Sequence, residues 1–307
     1  MQNCIYQHIG KYAKADNNTA IWIVSNTLII YMILLYLSWI TFHPVFIIIC
    51  SLTRVRIFII MHDMAHHAFF SSKLANMVGA TILGTLVYTS YTGWKKGHDY
   101  HHEHSNNIDK QQFAQTAPLT IDAYNKMPTL YRWLYRVIYG HYTLYTITPF
   151  IYFNVIQRFF STWHENILVL CYLYLLYITG GINMMYIDLI TSSLAGSFGV
   201  FLFHIQHTFE GAYKARGSDY SRFDNGMQGS SYLIIPWWLA WFTLNIQYHN
   251  IHHLNTRVPC YNLKKCFEDG YHLFKNVPTF TLRQALQMLH FSLRNDEKKS
   301  FISCYSI

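Results

Sequence analysis

Charge is what this chain has least of. Only 12% of its 307 residues are Asp, Glu, Lys or Arg, about half the share in an ordinary soluble domain, which argues against a simple water-soluble globule. Closely paired cysteines are missing too. Cys4, Cys50, Cys171, Cys260, Cys266 and Cys304 show neither zinc-type nor disulfide-type spacing, so no disulfide framework is expected. A cleavable leader is not found, because the first apolar run is too long for one and no small-residue cleavage site follows it. No haem, flavin or cluster motif, internal repeat or low-complexity segment stands out.

Long apolar runs fill the space that charge leaves. "AIWIVSNTLIIYMILLYLSWI" at 20–40 carries no charge over a length that spans a bilayer as a helix. "PVFIIICSLTRVRIFIIM" at 44–61 is nearly as long and holds Arg54 and Arg56; 167–187 and 189–206 make a third and a shorter fourth. The expected architecture is an all-α membrane protein, a single integral-membrane domain over 1–307 with four transmembrane helices in two hairpins. The stretch 76–91, short and interrupted by Gly79 and Gly84, reads as re-entrant or interfacial; "YLIIPWWLAWF" at 232–242 suits the headgroup layer.

The net charge of +8 is explained by its distribution, with no nucleic acid needed as a partner. The links near 41–44 and around Asp188 contain no Lys or Arg. Of the 23 basic residues, two precede the first span, eight lie from Lys73 to Arg158 and eleven from Lys214 onward. By the positive-inside rule both termini and the central loop face the cytoplasm.

Twelve of the 18 histidines fall in four places. "HDMAHH" supplies His62, His66 and His67; "HDYHHEH" supplies His98, His101, His102 and His104; "HIQH" supplies His204 and His207; "HNIHH" supplies His249, His252 and His253. Positions i, i+3 and i+4 share a helix face, so His98, His101 and His102 can converge, as can His249, His252 and His253. His62 and His66 also align, with His67 turned about 100° away. The four places meet at one cytoplasmic membrane surface, as a histidine-rich cap. Eight or more imidazoles exceed what one ion takes, which favours two metals side by side; iron, copper, zinc and nickel all accept imidazole. Asp63, Asp99, Glu103 and Asp109 are candidates to orient the rings through their second nitrogens.

These residues carry a resemblance. "RIFIIMHDMAHHAFFSS", "WKKGHDYHHEHSNNID", "FHIQHTFEGAY" and "GSSYLIIPWWLAWFTLNIQYHNIHHLNTRVPCYNL" resemble the histidine-box regions of membrane fatty acid desaturases, closest to the omega-6 (delta-12-like) acyl-lipid branch, in order and spacing over about residues 50–265. The resemblance implies two iron ions as a diiron centre, with ligands from His62, His66 or His67, His98, His101, His102, His207, His249, His252 and His253, and His204 as a further ligand or a supporting donor. It implies an oxygen-dependent enzyme that introduces a cis double bond into a membrane-associated acyl chain. The substrate would be an acyl lipid, with acyl-CoA or acyl carrier protein as other carriers. Electrons would come from a separate donor such as cytochrome b5 or ferredoxin, docked on basic residues including Lys95, Lys96, Lys264 and Lys265. Tyr88, Tyr91 and Trp94, just before the second box, are candidate channel walls.

The expected location is a bacterial inner membrane or the endoplasmic reticulum, with the active site on the cytoplasmic face. Diiron hydroxylases, epoxygenases and conjugases share the boxes and are the alternative enzymes. A non-enzymatic membrane metal-binding protein would place its histidines inside the spans. The sequon Asn17-Asn18-Thr19 checks the topology: expressed in a eukaryotic host it stays unglycosylated, and a glycan there on a gel-shift assay would invert the orientation.

Overall fold

The computed structural model describes residues 1–110 and 118–307, and these are mostly helical. Among the described residues three helices are long and apolar enough to cross a membrane: Asn17–Thr41, Pro44–Ala65 and Trp163–His207. The first begins where the Asp16 carboxylate accepts from the Asn18 and Thr19 amides, and it ends at Phe42 in the left-handed region. His43 then caps the second helix, with Pro44 in its first turn, a position that needs no amide hydrogen. Two residues thus connect two antiparallel helices, at the link expected near 41–44.

The third helix is 45 residues long but contains Gly181 at φ 64°, ψ −160°, a conformation open to glycine. Tyr172 Oη donates to Asp188 at 2.6 Å, although 16 residues of unbroken helix would put them about 24 Å apart. The chain therefore doubles back at Gly180–Gly181. The sequence had suggested a link around Asp188; that residue is helical and fully buried.

Its carboxylate is held by Arg54 at 3.0 Å, both side chains being 0% exposed. Arg54 also donates to the Leu86 carbonyl (2.5 Å), the Asp188 carbonyl (2.5 Å) and Thr191 Oγ1 (2.8 Å). Asp188 further accepts from Tyr88 (2.6 Å) and Tyr31 (3.3 Å). One saturated ion pair joins the first two helices, both arms of the third and the end of Lys73–Leu86. Arg56 is satisfied separately: it donates to Thr27 Oγ1 at 2.8 Å and to the Trp241 carbonyl, and lies 4.1 Å from the Trp241 ring centre.

The segment expected to be re-entrant forms Lys73–Leu86, whose 14 residues reach about 21 Å, short of a full crossing. Within 232–242, Trp237 and Trp238 are exposed and Trp241 turns inward over Arg56. The all-α expectation is corrected by two small sheets. Leu119–Thr120, Leu293–Asn295 and Ser300–Ile302 form one, and Tyr232–Ile234 pairs in parallel with Thr279–Thr281 in the other. Strands of two or three residues are too short to show alternation.

Removing one member of the buried pair leaves the other charge without its counterion. Asp188→Ala should destabilise the protein by about 3–5 kcal/mol, and Arg54→Met with Asp188→Leu should recover most of that loss. Thermal unfolding in detergent checks this; an unchanged single variant would contradict it.

Candidate metal centre

Histidine spacing becomes geometry at the ends of four helical segments. His62 lies in the last turn of Pro44–Ala65, and His66 follows as its C-cap. Helix Tyr91–His104, started by Ser90 Oγ accepting from the Gly93 amide at 2.9 Å, carries His98, His101 and His102. His207 ends the doubled-back helix, and His249–Leu254 carries His249, His252 and His253.

Nine of these rings assemble into two adjoining groups. His62, His66, His98, His102 and His252 form one; His101, His207, His249 and His253 form the other, with ligand-capable nitrogens within 4.8 Å of one another in each. The H-x-x-H-H spacing acquires a clear meaning. In each three-histidine segment the i, i+4 pair enters one group and the i+3 residue the other: His98 and His102 against His101, His249 and His253 against His252. The groups abut, with the His102 and His253 ring centres 4.4 Å apart.

The ring nitrogens face one another at hydrogen-bonding distance. Nε2···Nε2 separations are 3.0 Å for His98–His102 and His102–His252, 3.2 Å for His101–His207, 2.9 Å for His207–His249 and 3.1 Å for His249–His253. A neutral ring nitrogen carries either one hydrogen or one lone pair, so His102, His207 and His249, whose Nε2 atoms each face two others, cannot satisfy both neighbours. Two ligands about 2.1 Å from one ion and at right angles to each other lie about 3.0 Å apart, against about 3.4 Å in a tetrahedron. Separations of 2.9–3.2 Å are thus compatible with rings that share a metal ion.

The surroundings fix ring orientation. His62 Nδ1 lies 3.1 Å from Asp63 Oδ1, and Asp63 Oδ2 accepts from the Cys260 amide at 2.5 Å. His207 Nδ1 faces the Gly229 carbonyl at 3.3 Å. Donation from both Nδ1 atoms leaves Nε2 with its lone pair toward the group. Trp94 stacks on His98 at 4.2 Å, while Phe203 lies 4.9 Å from His101 and 5.4 Å from His207. Trp94 thus packs against the first group and Phe203 against the second.

Other candidates are placed elsewhere. His67, at φ 54°, is partly exposed and lies outside both groups. His204 is buried beside Tyr145, also outside them. Asp99 pairs with Lys95 on the surface; Glu103 is exposed; Asp109 engages Arg216 and the Gly217 amide. Of the four acids, Asp63 is the one in contact with a clustered histidine. Phe203 was foreshadowed only by its place one turn before His207, and the Gly229 carbonyl by no side-chain signal.

The comparisons point the same way. A protein-family model described as fatty acid desaturase matches residues 37–282. The chain is 29% identical to "Fatty acid desaturase" of Bacillus subtilis (strain 168), covering 100% of this chain and 92% of that protein. It is 25% identical to "sn-1 oleoyl-lipid 12-desaturase" of Synechocystis sp., over 76% of this chain and 69% of that one. A shorter stretch is 30% identical to "sn-1 acyl-lipid omega-3 desaturase (ferredoxin)" of Nostoc sp., over 33% of this chain and 27% of that one.

Burial, followed by the repulsion of neighbouring imidazoles, holds His66, His98, His101, His102, His249, His252 and His253 well below the ordinary histidine range. They are neutral at pH 7. An unfolded chain takes up protons below about pH 6.5 while these buried rings do not, so stability is present above that pH and declines below it. Metal-free protein should show a melting temperature that falls steadily from pH 7.5 to 5.5; a flat or rising profile would contradict the assignment.

Proposed function

Because the chain belongs to the fatty acid desaturase family and is a fatty acid desaturase, we propose that its two histidine groups hold two irons that serve oxygen-dependent formation of a cis double bond. The observation that carries this reading is the division of nine converging imidazoles into adjoining sets of five and four. His62, His66, His98, His102 and His252 would hold one ion, and His101, His207, His249 and His253 the other. Iron supplies what side chains cannot, the activation of dioxygen for removing hydrogen from an unactivated methylene.

The chain's own residues do the rest. Asp63 and the Gly229 carbonyl keep His62 and His207 in the tautomer that presents Nε2. Trp94 and Phe203 seat the rings against apolar surface and exclude water, which strengthens the electrostatics within. The Phe58 ring packs edge-on to Trp94 at 5.4 Å and sets its plane.

The substrate we infer is an acyl chain of a membrane lipid, as the names of the cyanobacterial relatives indicate for those proteins. The reversal at Gly181 supports four spans in two hairpins within one integral-membrane domain, with the histidine cap on the cytoplasmic side. Electrons would come from a separate carrier; ferredoxin appears in the name of one relative, and cytochrome b5 is the alternative. Lys95, Lys96, Lys264 and Lys265 offer a basic surface to an acidic carrier.

Cells that lack polyunsaturated chains, expressing this protein with a compatible electron donor, should accumulate a new diene. His101→Ala or His253→Ala should reduce it at least about 100-fold while the protein remains in the membrane fraction. Gas chromatography with mass spectrometry of double-bond derivatives reads the product. A hydroxylated or epoxidised chain would replace desaturation as the outcome, and full turnover in either variant would refute the metal assignment.

A further inference from the structure

A groove of about 380 Å³ lies beside the first arm of the doubled-back helix, with Tyr88 among its lining residues and none of the clustered histidines. Its lower walls are apolar, built from Val169, Leu173 and Leu189, and its upper end is polar, built from Asn154, Arg158 and Asn166. Leu170 forms an outward rim and is 64% exposed. The depth of this groove in the bilayer follows from its neighbours. Phe159, Phe160 and Trp163 are all exposed and flank Arg158 as an aromatic belt would at headgroup level. From Asn166 to Leu173 the helix descends about 10 Å, into hydrocarbon.

Arg158 does not snorkel outward in the usual way. Its Nη2 donates to the Tyr88 carbonyl at 2.7 Å and its Nη1 approaches Asn166 Oδ1 at 3.4 Å. Its Nε is buried without a partner. Glu165 acts on it electrostatically, but that carboxylate already accepts from Ser90 Oγ, the Thr92 amide, and the Thr162 amide and hydroxyl. Among the described residues no carboxylate forms an ion pair with Arg158. A half-buried guanidinium whose Nη1 and Nη2 each keep a second hydrogen beyond the bonds to Asn166 and Tyr88, lining a slot with apolar walls, is complementary to a phosphate ester carrying an acyl tail.

We propose that this groove binds an anionic membrane phospholipid, with its phosphate at Arg158 and one acyl chain along Val169, Leu173 and Leu189. Asn154 and Asn166 line the same end; their Nδ2 groups donate to the Phe150 and Arg158 carbonyls, and each keeps a second hydrogen for a phosphate oxygen. The site requires that the chain lie in a bilayer and is independent of the desaturation chemistry.

The test uses full-length, metal-loaded protein, washed free of lipid and placed in nanodiscs of phosphatidylcholine with increasing phosphatidylglycerol. Native mass spectrometry after release counts the phospholipid retained per chain. The expected result is retention of one phosphatidylglycerol at least about tenfold in preference to phosphatidylcholine, lost to a similar extent in Arg158→Gln. Because Arg158 also braces the Tyr88 carbonyl, Leu170→Trp is the second variant: it leaves every hydrogen bond in place, narrows the slot and should weaken retention alike. Equal retention of both lipids, or undiminished retention in both variants, would overturn the proposal. Displacement of the lipid by equimolar glycerol phosphate would overturn it too, since the apolar walls would then contribute nothing. Lipid retention does not depend on turnover, so an inactive enzyme that still retains phosphatidylglycerol would count against the desaturase chemistry and not against this site.

Discussion

Nine imidazoles converge in one small space, and the rest of the molecule is arranged around that constraint. Rings whose nitrogens meet at 2.9–3.2 Å repel once protonated, and while neutral a nitrogen that faces two others can satisfy only one of them. A cation resolves both problems. The five-and-four division gives the H-x-x-H-H spacing a meaning: one helical face serves both histidine groups, the i, i+4 pair entering one and the i+3 ring the other. A single-ion protein would need only one of those sets.

Such an array holds its shape only if the helix ends that carry it are fixed. Arg54 and Asp188 do this from below. Their pair is desolvated, which is expensive, but each remaining donor and acceptor finds a partner on a different segment, so the network specifies how the helices register. Asp63 performs the corresponding task at the site, tying His62 to the start of helix Cys260–Asp269 through the Cys260 amide. The C-terminal segment is thereby locked to the second membrane helix at the point where the first histidine group begins.

Much of this was legible in the sequence because it rests on local periodicity. The apolar runs pointed to helices, and the histidine spacing pointed to shared faces that the structure gathers into two groups. What stayed hidden depends on contacts between distant residues. Asp188 looked like a loop charge because its partner lies 134 residues earlier, and the true reversal at Gly180–Gly181 was concealed inside an apolar run. His67 and His66 are adjacent in sequence; the left-handed turn at His67 separates them. His204 has the same helical spacing to His207 that other clustered residues show, yet it faces Tyr145. The short strands carry no readable pattern, and the Gly229 acceptor is backbone.

The central claim is that one chain holds two irons close enough to act together. Protein purified from iron-57-grown cells, analysed for metal content and by Mössbauer spectroscopy at low temperature, tests it most directly. The account predicts two irons per chain with the diamagnetic signature of a coupled diferric pair after oxidation. One iron per chain, or two irons that give independent high-spin ferric signals, would contradict it.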